Sequence, residues 1–499
     1  MTLKQFAAKI FASLIVRQTN AWATKPVATQ RAVLATLVKQ AQDTQFGKDH
    51  DFKAIKTHQD FIERVPIRDY EDLKEYVQKA VLGISDVLWP GRPAYFAKTS
   101  GTTSGAKYIP ITKISIAAQV KASRDAILHY IHQTGNIQFV SKKMIFLQGS
   151  PVLDTSSYIP TGRLSGISAH YVPAYLQKNR LPSWETNCIE DWETKVDAVV
   201  SETISEDMGV IAGIPSWVQM YFERLRAKSG KPVGDLFKNF NLFIYGGVNY
   251  EPYRANFENL IGRKVDTIEL FPASEGFFAY QDLQEEKGML LLLNSGIFYE
   301  FILAHQFFED HPTRLTIGEV SLGVNYVLVI STNAGLWGYN IGDTVQFTSL
   351  APYRIIVSGR IKHFISAFGE HVIAKEVEYA MQEAISKTDA RVLEFTVAPQ
   401  IAPQEGLPFH EWLVAFEKEP SDLAIFSSIL DTALQAQNSY YKDLMLGKVL
   451  KPLQITSLPS DAFTQYMKTK GKLGGQNKVQ RLSNDRLIAN ALHKIKAHV

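Results

Sequence analysis

The chain has 499 residues, 45% hydrophobic and 21% charged, with 53 Lys and Arg against 50 Asp and Glu. This is globular composition, long enough for roughly two to four domains, and its near-balanced charge gives no field that would favour nucleic acid. The single cysteine, Cys188, excludes an intrachain disulfide and a cysteine-rich metal site, and suits a reducing, cytoplasmic setting.

Apolar residues recur at helical spacing through the first 26 positions, interrupted by Lys4, Lys9 and Arg17. The pattern predicts an amphipathic helix packed on the body, with a signal peptide or surface anchor as the alternatives. No stretch approaches the ~18 uncharged apolar residues of a membrane span. Helices with short breaks are expected up to about residue 85, one of them starting at Asp69, where acidic residues favour a first turn. Tyr95 to Lys98 reads as a short strand leading into a loop, within the segment FAKTSGTTSGAKYIP. A helix from Ile114 to about Thr134 and a buried strand Met144 to Leu147 follow, the strand ending in Gly149-Ser150-Pro151. Strand candidates at 210–213, 242–247 and 266–271, with a helix at 250–261 between the last two, argue for α/β layers. Strands crowd from 289 to 358 and predict a mostly antiparallel sheet. Beyond Gly359 the pattern becomes a small α+β unit, with a helix at 372–386, strands at 391–399 and 411–417, and a helical region at 421–446. The expected division is a large N-terminal α/β domain, 1–359, and a smaller C-terminal α+β domain, 360–499.

The chemistry concentrates in a few places. Ser100, Gly101, Thr102, Thr103, Ser104, Gly105 and Lys107 combine hydroxyl donors, permissive glycines and a cation, which suits phosphate. The spacing is not that of the common G-x-x-x-x-G-K-[ST] loop, and a plain Ser/Thr/Gly turn is the alternative. Ser104 and Lys107 also fit S-x-x-K, but the S-D-N and K-T-G partners of that nucleophile motif are absent. Gly246-Gly247 ends a strand and lets backbone approach a flat ligand. Phe271-Pro272-Ala273-Ser274-Glu275 is expected as a loop after a strand, with one carboxylate able to hold Mg²⁺ beside a triphosphate. Asp343 follows Gly342 and can accept ribose hydroxyls. Gly359-Arg360-Ile361-Lys362 comes next, and Lys478 lies in a glycine-flanked segment near the end. Each of these taken alone also reads as an ordinary turn, cap or basic tail.

Taken in order, these segments resemble the adenylate-forming superfamily. Within it, Leu88-Trp89-Pro90, Tyr95 to Gly105, Pro272-Ala273-Ser274-Glu275 and Gln476-Asn477-Lys478-Val479-Gln480-Arg481 are similar to the Gretchen Hagen 3 (auxin-responsive promoter) family of acyl acid–amido synthetases, in its bacterial form. The resemblance runs over essentially the whole chain. It implies a large N-terminal adenylate-forming domain and a mobile C-terminal one, with ATP and Mg²⁺ used to make an acyl-AMP from a carboxylic acid. Transfer to an amino acid or other amine follows. It also implies roles. Residues 100–105 and Lys107 would hold the β- and γ-phosphates, Glu275 Mg²⁺, and Asp343 the ribose with Arg360 nearby. Gly246, Gly247 and 271–274 would flank adenine, Lys478 would bridge the attacking carboxylate and the α-phosphate, and Lys362 would be the hinge. His170, Tyr171, Val172, Tyr175 and Gly149 to Leu153 are candidates for the acyl pocket, or for core packing. Two departures stand out: Phe271 replaces a tyrosine of the plant members, and Asn340 replaces a basic residue. Both bear on the substrate, so the plant hormones are not carried over. A coenzyme A ligase and a non-catalytic acyl- or nucleotide-binding protein are the other readings.

Overall fold

The computed structural model describes residues 3–497 apart from 103–104, 173–176, 248–249, 305, 362–363, 366, 371 and 470–479. Helices fill most of the chain up to Val81. Asp69 caps Tyr70–Val81 in a capping box with Asp72, so the acidic start does what first-turn donors require. A hairpin of β1 (Tyr95–Thr102) and β2 (Gly105–Ile111) comes next, then the helix Lys113–Thr134.

β3 (Lys143–Leu147) opens the main sheet, while β4 (Thr161–Gly162) turns aside to pair with β1. β5 (Arg180–Leu181), β6 (Met208–Gly213), β7 (Leu242–Gly246) and β8 (Asp266–Ala273) complete a parallel half. The central strands β6 and β7 are apolar on both faces, as strands covered on both sides must be. Val210, Leu242 and Ile244 face a core shared with the N-terminal helix Leu3–Ala23 and with Lys113–Thr134. Ile211, Phe243 and Tyr245 face the opposite core, under Trp192–Thr203, Pro215–Ser229 and Glu251–Ile261. The period-two alternation of strand side chains thus splits one apolar run between two cores.

β9 (Gly276–Tyr280) reverses on β8, and β10 (Met289–Leu291), β11 (Ile297–Leu303), β12 (Asn325–Thr332), β13 (Tyr339–Leu350) and β14 (Tyr353–Arg360) extend the same sheet in antiparallel fashion. The order is β11-β12-β13-β14-β10-β9-β8-β7-β6-β3-β5. The antiparallel sheet expected from 289–358 is therefore the second half of one eleven-stranded sheet.

Beyond Arg360, β15 (Phe364–Ile365) pairs with β16 (Val372–Ile373). The sequence pattern places Val372 and Ile373 at the start of a helix; both instead belong to this short ladder, as β-branched residues favour, and the helix runs Ala374–Ser386. β17 (Arg391–Gln400) and β18 (Phe409–Lys418) are antiparallel, and β19 (Gln454–Leu458) adds in parallel to β18. One core continues from the large unit into this one: Phe257 and Tyr221 share it with Phe368, Val377 and Trp412.

Candidate functional site

The carboxyl ends of the parallel strands form one edge, the place where open α/β sheets bind ligands. Glycine stands at or just past three of these ends. A Cβ on Gly246 would lie 2.6 Å from the Leu270 carbonyl oxygen, so β7 can reach β8 here only without a side chain. Gly247 differs: its φ is +83° and a Cβ there would meet nothing within 4 Å. Gly213 ends β6 with Leu147 and Val218 about it. Gly149, two residues past β3, lies beside Arg163, whose Cδ would sit 3.4 Å from an added Cβ.

Phe271, Pro272 and Ala273 are not a loop. They are the end of β8, and only Ser274 and Glu275 form the turn into β9. The register shifts between Phe271 and Pro272, which is where a residue without an N–H fits a ladder. The two-residue turn delivers Glu275, half-buried, at the boundary between the parallel and antiparallel halves.

The hydroxyl-rich segment is likewise mostly strand. Thr99 pairs with Lys107 and Thr102 with Gly105, so Ser100 and Gly101 belong to β1 and Gly105 to β2. Threonine's stiff β-branched side chain favours this pleated state over a loop. Thr103 and Ser104 lie outside the described residues. Lys107 is half-buried, its Nζ 5.8 Å from the centre of the Tyr70 ring, and the Tyr70 hydroxyl accepts the Tyr108 backbone N–H at 2.9 Å.

Asp343, whose alternative reading taken alone is a turn residue, lies within β13, 8% exposed, directly across the ladder from Arg360 in β14. The β12–β13 register shifts at Val327 to Val329, opposite Asn340 to Thr344, and Gly342 has φ +85° within this bulge. A bulge re-aims the side chain beside it, here Asp343. Asn340, the departure from the family pattern, stabilises the bulge: its side-chain oxygen accepts the Gly342 N–H at 2.8 Å. Tyr339 and Phe271 belong to one core cluster, against which Tyr108, Ala273 and Ile341 also pack. The segments carrying Lys107, Glu275 and Asp343 thus rest on common packing.

The acyl-pocket candidates come together in part. Helix Leu164–Ala169 packs on the segment after β3, where a Cβ on Gly166 would meet the Ser150 carbonyl at 2.6 Å. His170 Nε2 contacts the Pro151 carbonyl at 2.9 Å and its ring meets Trp184 edge-on. Tyr171 meets Tyr95 edge-on, and burial, with the Tyr95 hydroxyl adding to it, pushes its phenol up to about 12. Tyr175 lies outside the described residues. Beneath them is Lys195, 2% exposed, donating to the carbonyls of Gln148 at 2.9 Å and Asn187 at 2.6 Å. Burial lowers its ammonium to about 8.

The seam between the large unit and the residues beyond 360 closes on this same region. Tyr440, from the helix Ser439–Leu446, donates its hydroxyl to the carbonyl of Lys98 in β1 at 3.0 Å. Arg163 lies 5.2 Å from the Tyr440 ring centre and forms an ion pair with Asp443 of the same helix. Lys448 pairs with Glu193 at 2.8 Å. Near the start of the small unit, the Tyr253 hydroxyl donates to the Ala367 carbonyl at 2.6 Å. Glu370 and His410, both fully buried, pair at 2.8 Å. Arg163, Tyr440 and Asp443 were not singled out from sequence. Nothing local marks them, since Arg163 meets residues 280 positions away. Lys362 and Lys478 lie outside the described residues.

Three family models match the chain: the GH3 family N-terminal domain over 16–187, the central domain over 290–360 and the C-terminal domain over 375–487, together more than half of it. The chain is 25% identical over 196 residues to the indole-3-acetic acid-amido synthetase GH3.3 of Arabidopsis thaliana, 37% of this chain and 33% of that protein. GH3.10 of the same plant matches at 26% over 196 residues, 38% of this chain and 32% of that one. The chain thus spans about a third of the length of the curated relatives it matches. Its fold is similar to that of the acyl acid amido synthetase AtGH3.15 solved with 2,4-DB, with a TM-score of 0.62 at 15% identity over 97% of this chain and 96% of that one. It is similar too to a 2-hydroxyisobutyryl-CoA ligase, with a TM-score of 0.60 at 14% identity over 95% and 92% of the two chains.

Proposed function

The chain belongs to the GH3 family, and from that premise we propose that it is an ATP-dependent ligase joining a carboxylic acid to an amino acid or other amine. One observation carries the reading. Lys107 on a hydroxyl-rich hairpin, Glu275 at the end of the parallel strands and a bulge-aimed Asp343 opposite Arg360 occur together in a fold with the binding edge of an α/β sheet. The similarity to amido synthetases and to an adenylate-forming ligase supports it.

In the first half-reaction a carboxylate oxygen of the acid attacks the α-phosphorus of ATP. The bond to the bridging oxygen breaks, and pyrophosphate leaves. In the second, the amine nitrogen attacks the acyl carbon, AMP leaves with the electrons of the acyl–oxygen bond, and the amine releases a proton. Lys107 and residues 100–105 grip the β- and γ-phosphates with cationic and hydroxyl donors. Lys478 bridges the attacking carboxylate and the α-phosphate, where charge builds in the transition state. Asp343 accepts the ribose hydroxyls, with Arg360 beside it. Gly246, Gly247 and 271–274 flank the adenine, and the open space at Gly247 leaves room for a flat base against backbone. Among the described residues no group of three or more His, Cys, Asp or Glu could hold a metal. Glu275 alone suits Mg²⁺, which takes one or two carboxylates plus substrate phosphates. When bound, Mg²⁺ neutralises the phosphate charge as pyrophosphate departs. The unit 360–499 turns about Lys362 between the two steps, making and breaking the seam at Tyr440 and Asp443.

The test is pyrophosphate release from MgATP across a panel of carboxylic acids and amines, with products read by mass spectrometry. The expected result is acid-dependent pyrophosphate release, with amide formed only when amine is added. A thioester formed with coenzyme A and no amide would move the protein to the ligases of that acceptor. ATP binding with no turnover on any acid would overturn the catalytic reading.

A further inference from the structure

The N-terminal helix Leu3–Ala23 is apolar on two opposite faces. Its inner face is accounted for: Ala12, Ile15, Thr19 and Ala23 are buried, the first two in the core beneath Lys113–Thr134. Its outer face is not. Phe6, Ile10 and Leu14, one turn apart, are each 50% exposed, and Phe11 beside them is 40% exposed. Side chains at i, i+4 and i+8 form one continuous stripe, and a helix that is apolar all round is one covered on all sides.

The charges on the helix itself are all of one sign. The helix carries Lys4, Lys9 and Arg17, all exposed, and no acidic residue. The neighbouring helix adds Lys121 and Arg124, the latter 5.1 Å from the Phe11 ring centre. Asp125, which pairs with both of these cations, is 3% exposed beneath them. An apolar stripe edged by cations is the pattern of a helix lying in the plane of an anionic bilayer surface. A second copy of the chain fits worse, because a two-fold pairing of this face would set the same cations against each other. The helix, with its three charges, does not qualify as a membrane span.

We propose that the outer face of Leu3–Ala23 docks the protein on anionic lipid, Phe6, Ile10 and Leu14 entering the interface and Lys4, Lys9 and Arg17 contacting headgroups. The proposal stands apart from the catalytic reading and uses none of its residues.

The test is flotation of the full chain with phosphatidylcholine vesicles, with and without about a third phosphatidylglycerol. The expected result is at least about ten-fold more protein bound to the anionic vesicles, an excess lost in ~0.5 M salt, as charge screening requires. A Phe6→Ser, Ile10→Ser, Leu14→Ser variant is expected to lose binding while its thermal transition and pyrophosphate release stay as in the parent. Should that variant not fold, a Lys9→Glu, Arg17→Glu variant, which leaves the apolar stripe intact, is expected to lose the anionic excess. Equal binding to both vesicle types, no binding, or a concentration-dependent dimer abolished by the serine variant in place of vesicle binding would each overturn the proposal.

Discussion

A cation placed against charge that develops only in the transition state contributes more to rate than to binding. Replacing Lys478 by alanine is therefore expected to slow acid-dependent pyrophosphate release by about 10²–10³, with a small change in the KM for ATP. Lys107→Ala removes a phosphate contact made in ground and transition states alike, so a raised KM for ATP is expected alongside a lower rate. Steady-state pyrophosphate assays across ATP concentrations separate the two patterns. A different residue-scale prediction concerns stability. Glu300 is fully buried between Arg314, at 2.5 Å, and His58, at 2.8 Å. Burial pushes its carboxyl up, but the Arg314 guanidinium and the hydrogen bonds from His58 and Arg314 outweigh that and hold it below the ordinary range. A lowered carboxyl contributes stability that is present above the ordinary glutamate range and lost as pH falls through the folded value. Arg314→Leu leaves the carboxylate buried without its main partner and is expected to cost about 3–5 kcal/mol in denaturant unfolding at neutral pH. A Glu300→Gln protein should show a shallower loss of stability on acidification than the parent.

At the scale of elements, close backbone approach decides the outcome. A methyl on Gly246 would overlap the Leu270 carbonyl at 2.6 Å, so Gly246→Ala must part β7 from β8 or bend one of them. The expected cost is about 1–3 kcal/mol in denaturant unfolding, as for other overpacked sites. β3, β6 and β7 are legible because each apolar run is short and glycine-bounded, and their ends fall within a few residues of the observed ones, whereas the two-residue β5 carries no such signal. The candidate site was legible as residue types and less so as geometry. Phe271 to Ala273 and Ser100 to Thr102 look like loops because Pro, Ser and Gly are turn residues. They form strand because ladder partners in β9 and β2 outweigh that local preference. Asp343 taken alone also reads as a turn residue for the same reason, the bulge that aims it needing a partner strand to exist at all.

Across the whole molecule, the seam at Arg163 links the proposed moving unit to the hairpin. Asp443 and Tyr440 reach Arg163 while the Tyr440 hydroxyl holds the Lys98 carbonyl two residues before Ser100. If the unit 360–499 changes position between half-reactions, this arrangement favours one of them. Arg163→Asp is expected to alter the ratio of amide formation to acid-dependent pyrophosphate exchange several-fold without loss of thermal stability. The double exchange Arg163→Asp with Asp443→Arg is expected to bring the ratio back toward the parent value. Both half-reactions falling together, with no recovery in the double variant, would mean that the pair supports structure only.

The sequence alone determined the chemistry available to this protein. Side-chain identities and their order along the chain carried the resemblance to the Gretchen Hagen 3 family, and local periodicity placed most helices and strands, because both are properties of neighbouring residues. The tertiary structure decided what depends on residues far apart. It joined the parallel and antiparallel strands into one sheet, set Asp343 across from Arg360, and brought Arg163 against a helix 280 positions away. It also left one apolar face of the first helix without cover among the described residues. Burial, ladder register and ion pairing are relations between segments, and a single strand or helix read by itself does not contain them.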